Sequence, residues 1–161
     1  MMDIRIATVE DLPFMQTLFV QTVESVNSKD YSEMQIRAWT ASSNDSTRWK
    51  EKFILSQYCL CATVDGQIVG FASLDHDYLD LLSVHKDFQG MGTAKTLLVA
   101  IIKEAISHAI ATLYTDSSIT ALPFFLHHGF DLIRENRKEL KGIELINYSM
   151  KKDLKSQDYK N

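Results

Sequence analysis

Residues 78–106 read YLDLLSVHKDFQGMGTAKTLLVAIIKEAI and contain a strand, a glycine turn and a helix in direct succession. The apolar run 78–84 predicts a buried strand, and apolar residues then recur at helical spacing on one face of the segment 94–108. Gly90 and Gly92 lie between them, where the first turn of the helix exposes unpaired N–H groups and the positive end of the helix dipole. A backbone without Cβ atoms lets an anion approach these groups closely. The segment therefore predicts a phosphate or pyrophosphate cradle, with a tight connection that simply needs glycine as the alternative.

The elements on either side of this segment predict a mixed fold on one sheet. Asp65-Gly66 separates two apolar runs and is a strong hairpin signal. The element order is β-α-α-(α)-β-β-β-α-β-α-β-β, which gives an α+β or mixed α/β domain. The predicted strands are 4–9, 58–64, 68–74, 78–84, 111–115, 130–138 and 143–150, and the predicted helices are 13–26, 32–41, 47–56, 94–108 and 119–128.

Composition and charge narrow the class of protein. The 161 residues are 45% hydrophobic and 24% charged, as in an ordinary globular domain. This composition excludes a disordered chain and a coiled coil. The net charge of -4 argues against a nucleic-acid or anionic-membrane binder. No apolar run reaches the length of a membrane span. We expect one domain over residues 1–151 and a polar C-terminal tail over 152–161.

The two cysteines, Cys59 and Cys61, lie in an apolar strand with C-x-C spacing. Residues two apart in a strand point to the same face, and a C-x-C pair without a second pair is a poor zinc signal. We expect two reduced, buried thiols, no metal site, and a cytoplasmic protein.

Two common nucleotide-binding motifs do not fit the glycine turn. A Walker A loop needs Gly-Lys-Ser/Thr, whereas Gly92 is followed by Thr93-Ala94. A dinucleotide fingerprint has a third glycine and an early position in a βαβ unit, and this segment has neither.

The stretch Gln89-Gly90-Met91-Gly92-Thr93-Ala94 resembles the acyl-CoA-binding motif Q/R-x-x-G-x-G/A of the GCN5-related N-acetyltransferase (GNAT) superfamily. Independently of this turn, Ala121-x-x-Phe124-Phe125-x-x-x-Gly129-Phe130 also resembles that family. The element order is similar over residues 3–151. The resemblance implies a GNAT-like fold: a central, mostly antiparallel twisted sheet with a splayed parallel pair, flanked by helices. It also implies an N-acetyltransferase that moves an acetyl group from acetyl-CoA to a primary amine.

The resemblance further implies a set of contacts to acetyl-CoA. Strand backbone groups would pair with the pantetheine arm as an added strand, and N–H groups of the turn would hold the pyrophosphate. A short helix would line the other side, and the thioester would sit where the strands splay. The implied residues are Leu82, Ser83 and Val84 on the strand, Gln89, Gly90, Met91, Gly92, Thr93 and Ala94 in the turn, and Ser118, Ala121, Phe124 and Phe125 opposite.

The sequence departs from the family pattern near the expected position of the thioester. Many members place a tyrosine next to the sulfur of the cosubstrate, and this chain has Phe125 there. Phenylalanine cannot protonate the departing thiolate, so the acid must be Tyr114, Tyr148, a serine or water. Ser118 stands where the family often has asparagine.

A base is needed because the ammonium form of an amine cannot attack a thioester. Tyr78 and Asp80 are the candidate catalytic residues, since they lie two apart on the strand before the glycine turn. The alternatives are a structural carboxylate paired with a buried donor or lysine for Asp80, and a core or edge tyrosine for Tyr78. In the family the first helices bound the acceptor site, which implies Glu24, Tyr31 and Trp39 as wall residues. The charged run 134–139 is expected to be a solvated strand face.

The acceptor itself stays open between a small-molecule amine and a peptide amine. A CoA-binding sensor or regulatory module without turnover is the competing function, and Phe125 is the residue that favours it. A homodimer is the default expectation for an enzyme of this size.

Overall fold

The computed structural model describes residues 1–155, which form a seven-stranded sheet with helices on both faces. The strands are β1 Met2–Ile6, β2 Tyr58–Val64, β3 Gln67–Asp75, β4 Tyr78–Val84, β5 Thr112–Ser118, β6 Asp131–Leu140 and β7 Ile143–Asp153. The helices are α1 Leu12–Ser25, α2 Glu33–Thr40, α3 Ser46–Trp49, α4 Thr93–Ser107 and α5 Leu122–His127. The order across the sheet is β1-β2-β3-β4-β5-β7-β6, and β4 with β5 is the one parallel pair in the described chain. The predicted fold class and element order are thereby confirmed.

Two hydrophobic cores cover the two faces of the sheet. Leu60 and Ala62 of β2 pack into a core with α4 and α5, whereas Cys59 and Cys61 pack into a core with α1, α2 and α3. This alternation along one strand confirms that the two cysteines share a face, and both are buried and free of disulfides. Burial raises the pKa of each thiol to about 12, so both stay protonated at neutral pH.

The chain between β1 and α1 differs from the prediction. β1 ends at Ile6, and Val9–Asp11 forms a single 3₁₀ turn rather than the end of the strand. The reason is Asp11, whose carboxylate accepts hydrogen bonds from Thr8 N at 2.8 Å and from both terminal nitrogens of Arg5 at 2.7 and 2.8 Å. These bonds turn the chain into α1, which has proline in its first turn as predicted.

Other elements also differ from the predicted type or boundaries. The helix predicted over 47–56 is α3 followed by a π-helix, Lys50–Leu55. β5 extends through Asp116 to Ser118, because these residues pair with β7. β7 runs to Asp153, beyond the predicted domain boundary at 151, and residues 156–161 of the predicted tail lie outside the described residues.

No helix within residues 1–155 is both long and apolar enough to span a membrane.

Candidate active site

The parallel strands β4 and β5 separate after two residue pairs. They are in register only at Tyr78 with Tyr114 and at Leu79 with Thr115, where Thr115 Oγ1 donates to the Leu79 carbonyl at 2.8 Å. Beyond that point β4 continues along β3, and β5 continues along β7. The gap between the strands opens into a cleft of about 530 Å³.

One wall of the cleft is the free edge of β4. His85 N donates to the Val69 carbonyl of β3 at 2.8 Å. Because hydrogen-bonded and non-hydrogen-bonded pairs alternate along an antiparallel ladder, Ser83 also bonds to β3, whereas Leu82 and Val84 direct their backbone groups into the gap. The Val84 carbonyl already accepts from Gln89 Nε2 at 2.7 Å and from Thr22 Oγ1 at 2.9 Å. The Val84 N–H and both backbone groups of Leu82 therefore remain for an extended ligand.

The cleft leads to the glycine turn at the start of α4. Gly90 has φ 74° and Gly92, the N-cap of the helix, has φ 82°, a region that L-residues rarely adopt. A Cβ atom built on either glycine would meet no protein atom within 4 Å, and no side chain caps the helix. The first N–H groups of α4 are thus open, as an anion cradle requires.

Gly70 of β3 lets this helix start close to the sheet. A Cβ atom at Gly70 would lie 3.0 Å from Thr93 Cγ2 and 3.1 Å from the Ser83 carbonyl oxygen. The Thr93 side chain is therefore occupied in packing, and only its backbone faces the turn. Gly70 was missed by the sequence analysis, although a glycine inside an apolar strand does signal close approach.

The opposite wall is formed by the end of β5 and by α5. Ser118 Oγ accepts from Ala121 N at 3.0 Å and from Asn27 Nδ2 at 3.5 Å. Both bonds use the oxygen as acceptor, so they leave the hydroxyl proton for a ligand. Phe125 is buried and packs edge-on against Phe124 with ring centroids 5.3 Å apart.

A comparison with known protein families identifies the family to which this chain belongs. A family model described as an acetyltransferase (GNAT) domain matches residues 27–152 of the chain. The protein belongs to the GNAT superfamily. The resemblance that the glycine turn and the Phe124-Phe125 segment indicated is confirmed.

Individual relatives agree with this GNAT assignment. The uncharacterized N-acetyltransferase YafP of Escherichia coli (strain K12) is 36% identical over 141 residues, covering 88% of this chain and 89% of that protein. A crystal structure described as a GCN5-related N-acetyltransferase, aminotransferase class-II, from Rhodopseudomonas palustris is 33% identical, with TM-score 0.91 and coverage of 94% and 95%. The PaiA N-acetyltransferase of Thermoplasma acidophilum, crystallised with coenzyme A, shares the fold at 20% identity, with TM-score 0.73 and coverage of 96% and 99%.

A polar network lies in the GNAT cleft where β4 and β5 begin to part. The Tyr78 hydroxyl donates to Asp116 Oδ2 at 3.0 Å, Lys138 Nζ lies 3.3 Å from the same oxygen, and Ser149 Oγ donates to Oδ1 at 2.9 Å. Burial opposes ionisation of Asp116, but the bonds from Ser149 and Tyr78 and the Lys138 ammonium outweigh it and lower its pKa. Burial and the nearby Asp116 raise the pKa of Tyr78, so its phenol keeps the proton at neutral pH.

Asp80 is the extra residue of a bulge in β4. The register with β3 shifts between Ser73, opposite Leu81, and Leu74, opposite Leu79, so Asp80 has no partner residue on β3. Asp80 Oδ2 accepts from Gln57 Nε2 at 2.8 Å and lies 3.5 Å from Lys52 Nζ. Neither contact uses Oδ1, and Asp80 lines the cleft.

The structure brings many of the predicted site residues to one cleft. Eleven of them line it: Tyr78, Asp80, Leu82, Ser83, Val84, Gln89, Ala94, Ser118, Ala121, Phe124 and Phe125. Gly90, Met91, Gly92 and Thr93 form the adjoining turn. Of the implied wall residues, Tyr31 and Trp39 line the cleft, whereas Glu24 is exposed and lies outside it.

Other residues are placed differently from the prediction. The run 134–139 is exposed as expected, except for the half-buried Asn136, but Lys138 and Glu139 also line the cleft. Neither Tyr114, which is exposed, nor Tyr148 is among the cleft-lining residues of the described chain. Asp116 was missed, and its one sequence signal is an acid that follows the apolar strand 111–115.

Proposed function

We propose that this protein is an acetyl-CoA-dependent N-acetyltransferase that acetylates a primary amine. The observation that carries the proposal is one continuous path: a cleft between splayed strands ends at an uncapped helix N-terminus with two open glycines. An extended thioester carrier with a diphosphate matches both parts of the path. Its extended arm can pair with the strand backbone in the cleft, and its diphosphate can accept hydrogen bonds from the N–H groups at the helix start.

The residues present fit such a carrier. Leu82 and Val84 offer backbone groups to the pantetheine amides, while the Ser83 backbone is used by β3. The turn from Gln89 to Ala94 offers N–H groups to the diphosphate. Ser118, Ala121, Phe124 and Phe125 close the far side of the cleft.

The chemistry assigned to the cleft is direct attack of a neutral amine on the thioester carbon. A C–N bond forms, the C–S bond breaks, the amine loses a proton, and the thiolate gains one. Asp80 is our candidate acceptor for the amine proton, acting through Oδ1 or one water, since Oδ2 is held by Gln57 and Lys52.

In this proposal Tyr78 does not act as the base. Its phenol holds its proton and donates to Asp116, so it positions that carboxylate rather than deprotonating an amine. With phenylalanine at position 125, the Ser118 hydroxyl is our candidate donor to the thiolate, because its proton is not used by either of its two hydrogen bonds.

A CoA-binding module without turnover is the second candidate, and Phe125 is the observation that favours it. The residue is buried at the cleft wall and supplies no proton. The two candidates differ only in whether thiol is released.

The test is thiol release from acetyl-CoA with a panel of primary amines, beside calorimetric binding of CoA. We expect CoA binding and amine-dependent thiol release above the rate of acetyl-CoA hydrolysis. Binding without thiol release on any amine would favour the sensor, and no binding at millimolar CoA would contradict both candidates.

We further infer that the enzyme works in the cytoplasm. The two buried, unpaired thiols of Cys59 and Cys61 support a reducing compartment. A homodimer remains a proposal, which sedimentation would test.

A further inference from the structure

A second, smaller cavity shares part of its lining with the cleft. This side pocket, of about 140 Å³, is lined by Phe19, Trp39, Ser42, Ser43, Arg48, Trp49, Lys52, Phe53 and Leu81. Phe19, Trp39 and Leu81 line both cavities, so they form an apolar strip between the two spaces. A molecule with an apolar middle can therefore lie across the strip and reach both.

The side pocket is cationic. Arg48 and Lys52 are its charged lining residues, and both are exposed. Within residues 1–155 the Arg48 guanidinium forms no ion pair. The nearby carboxylate of Asp45 accepts a hydrogen bond from the Arg48 backbone N–H at 3.1 Å and does not line the pocket.

The cleft has the opposite balance of charge. Among the described residues its charged lining side chains are three acids, Asp80, Asp116 and Glu139, and one base, Lys138, which lies 3.3 Å from Asp116 Oδ2. Lys52 lies between the spaces, because its ammonium is 3.5 Å from Asp80 Oδ2 while its side chain lines the pocket. Negative charge thus faces the cleft and positive charge faces the side pocket.

We propose that the acceptor is a primary amine that carries an acidic group, a carboxylate or a phosphoryl group, at its other end. The amine enters the cleft near Asp80, the apolar body lies on Phe19, Trp39 and Leu81, and the acidic group binds Arg48. Guanidinium and ammonium groups are well suited to carboxylate and phosphoryl oxygens. The inference rests on the proposed function and names the substrate class of that site.

The test compares acceptors that differ only at the far end. Straight-chain ω-amino acids from glycine to aminocaprylate are assayed beside their primary amides, the matching diamines and the matching ω-aminoalkyl phosphonates. We expect the best carboxylate or phosphonate to have a kcat/KM about tenfold higher than the amide of matching chain length, since one charge-assisted contact is gained. Its advantage over the matching diamine should be larger still. Which acid gives the larger ratio identifies the group. Ratios near one throughout the series, or a preference for diamines, would overturn the inference.

Arg48→Gln supplies the residue-level test. Arg48 forms no ion pair in the described chain, so the fold should keep its stability. The variant should raise KM for the acidic acceptor about tenfold and leave the amide within twofold. The matched control is Arg37→Gln, another exposed arginine, which pairs with Glu33 on α2 and lines neither cavity. An equal loss on acid and amide would contradict the assignment.

Binding separates this inference from the proposed function. If no acceptor releases thiol, the proposed acetyl transfer fails, and calorimetry of the same series on CoA-loaded protein still decides the polarity of the pocket. Tighter binding of the acid than of its amide, lost in Arg48→Gln, supports the pocket; equal binding refutes it.

Discussion

Replacing Gly92 by alanine should weaken coenzyme A binding much more than it weakens the fold. Gly92 has φ 82°, and an added Cβ atom meets no protein atom within 4 Å. The folded protein therefore bears only the backbone strain of a left-handed alanine, about 1–2 kcal/mol. For a chain of this size that strain corresponds to a fall in Tm of roughly 2–8 °C.

The loss of affinity has a separate physical origin. The new methyl group would stand where the diphosphate approaches the open N–H groups of α4. Each hydrogen bond to a charged group contributes about 1.5–3 kcal/mol, so losing two of them weakens CoA binding by at least about a hundredfold.

The assay is calorimetric binding of CoA together with thermal unfolding of both proteins. Gly66→Ala is the matched control, because Gly66 has φ 79°, also meets nothing within 4 Å, and lies in the β2–β3 hairpin. Both variants should lose similar stability, but only Gly92→Ala should lose affinity. Unchanged CoA affinity in Gly92→Ala, at the same loss of stability as the control, would refute the cradle.

Three further predictions concern the base, the helix position and pH. Asp80→Asn should lower turnover at pH 7 by about a hundredfold or more and leave CoA affinity within twofold, whereas exposed Asp131→Asn should change neither; full turnover would remove Asp80 from the mechanism. Gly70→Ala should lower the free energy of unfolding by about 1–3 kcal/mol, measured with denaturant, and should weaken CoA binding, because the start of α4 must move. An unchanged unfolding midpoint would show that the surrounding atoms make room for a Cβ atom without cost. Asp11→Asn should lose about 1 kcal/mol at pH 7, because the amide keeps one of the two oxygens that accept from Arg5 and Thr8. The hydrogen bond from Arg5 lowers the pKa of Asp11 in the folded state, so the wild-type advantage is complete above the ordinary carboxyl pKa and disappears as pH falls through the lowered one. An advantage that does not begin to shrink as pH falls through the ordinary carboxyl pKa of about 3.9 would contradict that linkage.

Several features of the fold could be predicted because they depend on neighbours in sequence. The period of apolar residues predicts α4 and the strands, and Asp65-Gly66 predicts a hairpin that the structure confirms with φ 50° and 79° at these residues. The glycine turn is predicted for the same reason, because a left-handed residue and a helix start are properties of a few consecutive positions.

Element ends were less predictable where polar residues continue a strand. β5 extends through Asp116 and Ser118 because β7 offers hydrogen-bond partners, and these partners lie 29 to 33 residues further along the chain. The pattern of apolar residues within a segment carries no information about such a distant partner strand.

What the sequence alone determined is the order of the elements, the family and the position of the open helix start. The tertiary structure decided which polar side chains meet the cleft carboxylates: the Tyr78 hydroxyl donates to Asp116 across a separation of 38 residues, and Gln57 donates to Asp80, 23 residues away. It also placed Arg48 and Lys52 in a pocket that adjoins the cleft. The physical reason is that periodicity and turn preference act over a few residues, whereas the cleft is assembled by strands and helices that become neighbours only when the sheet forms.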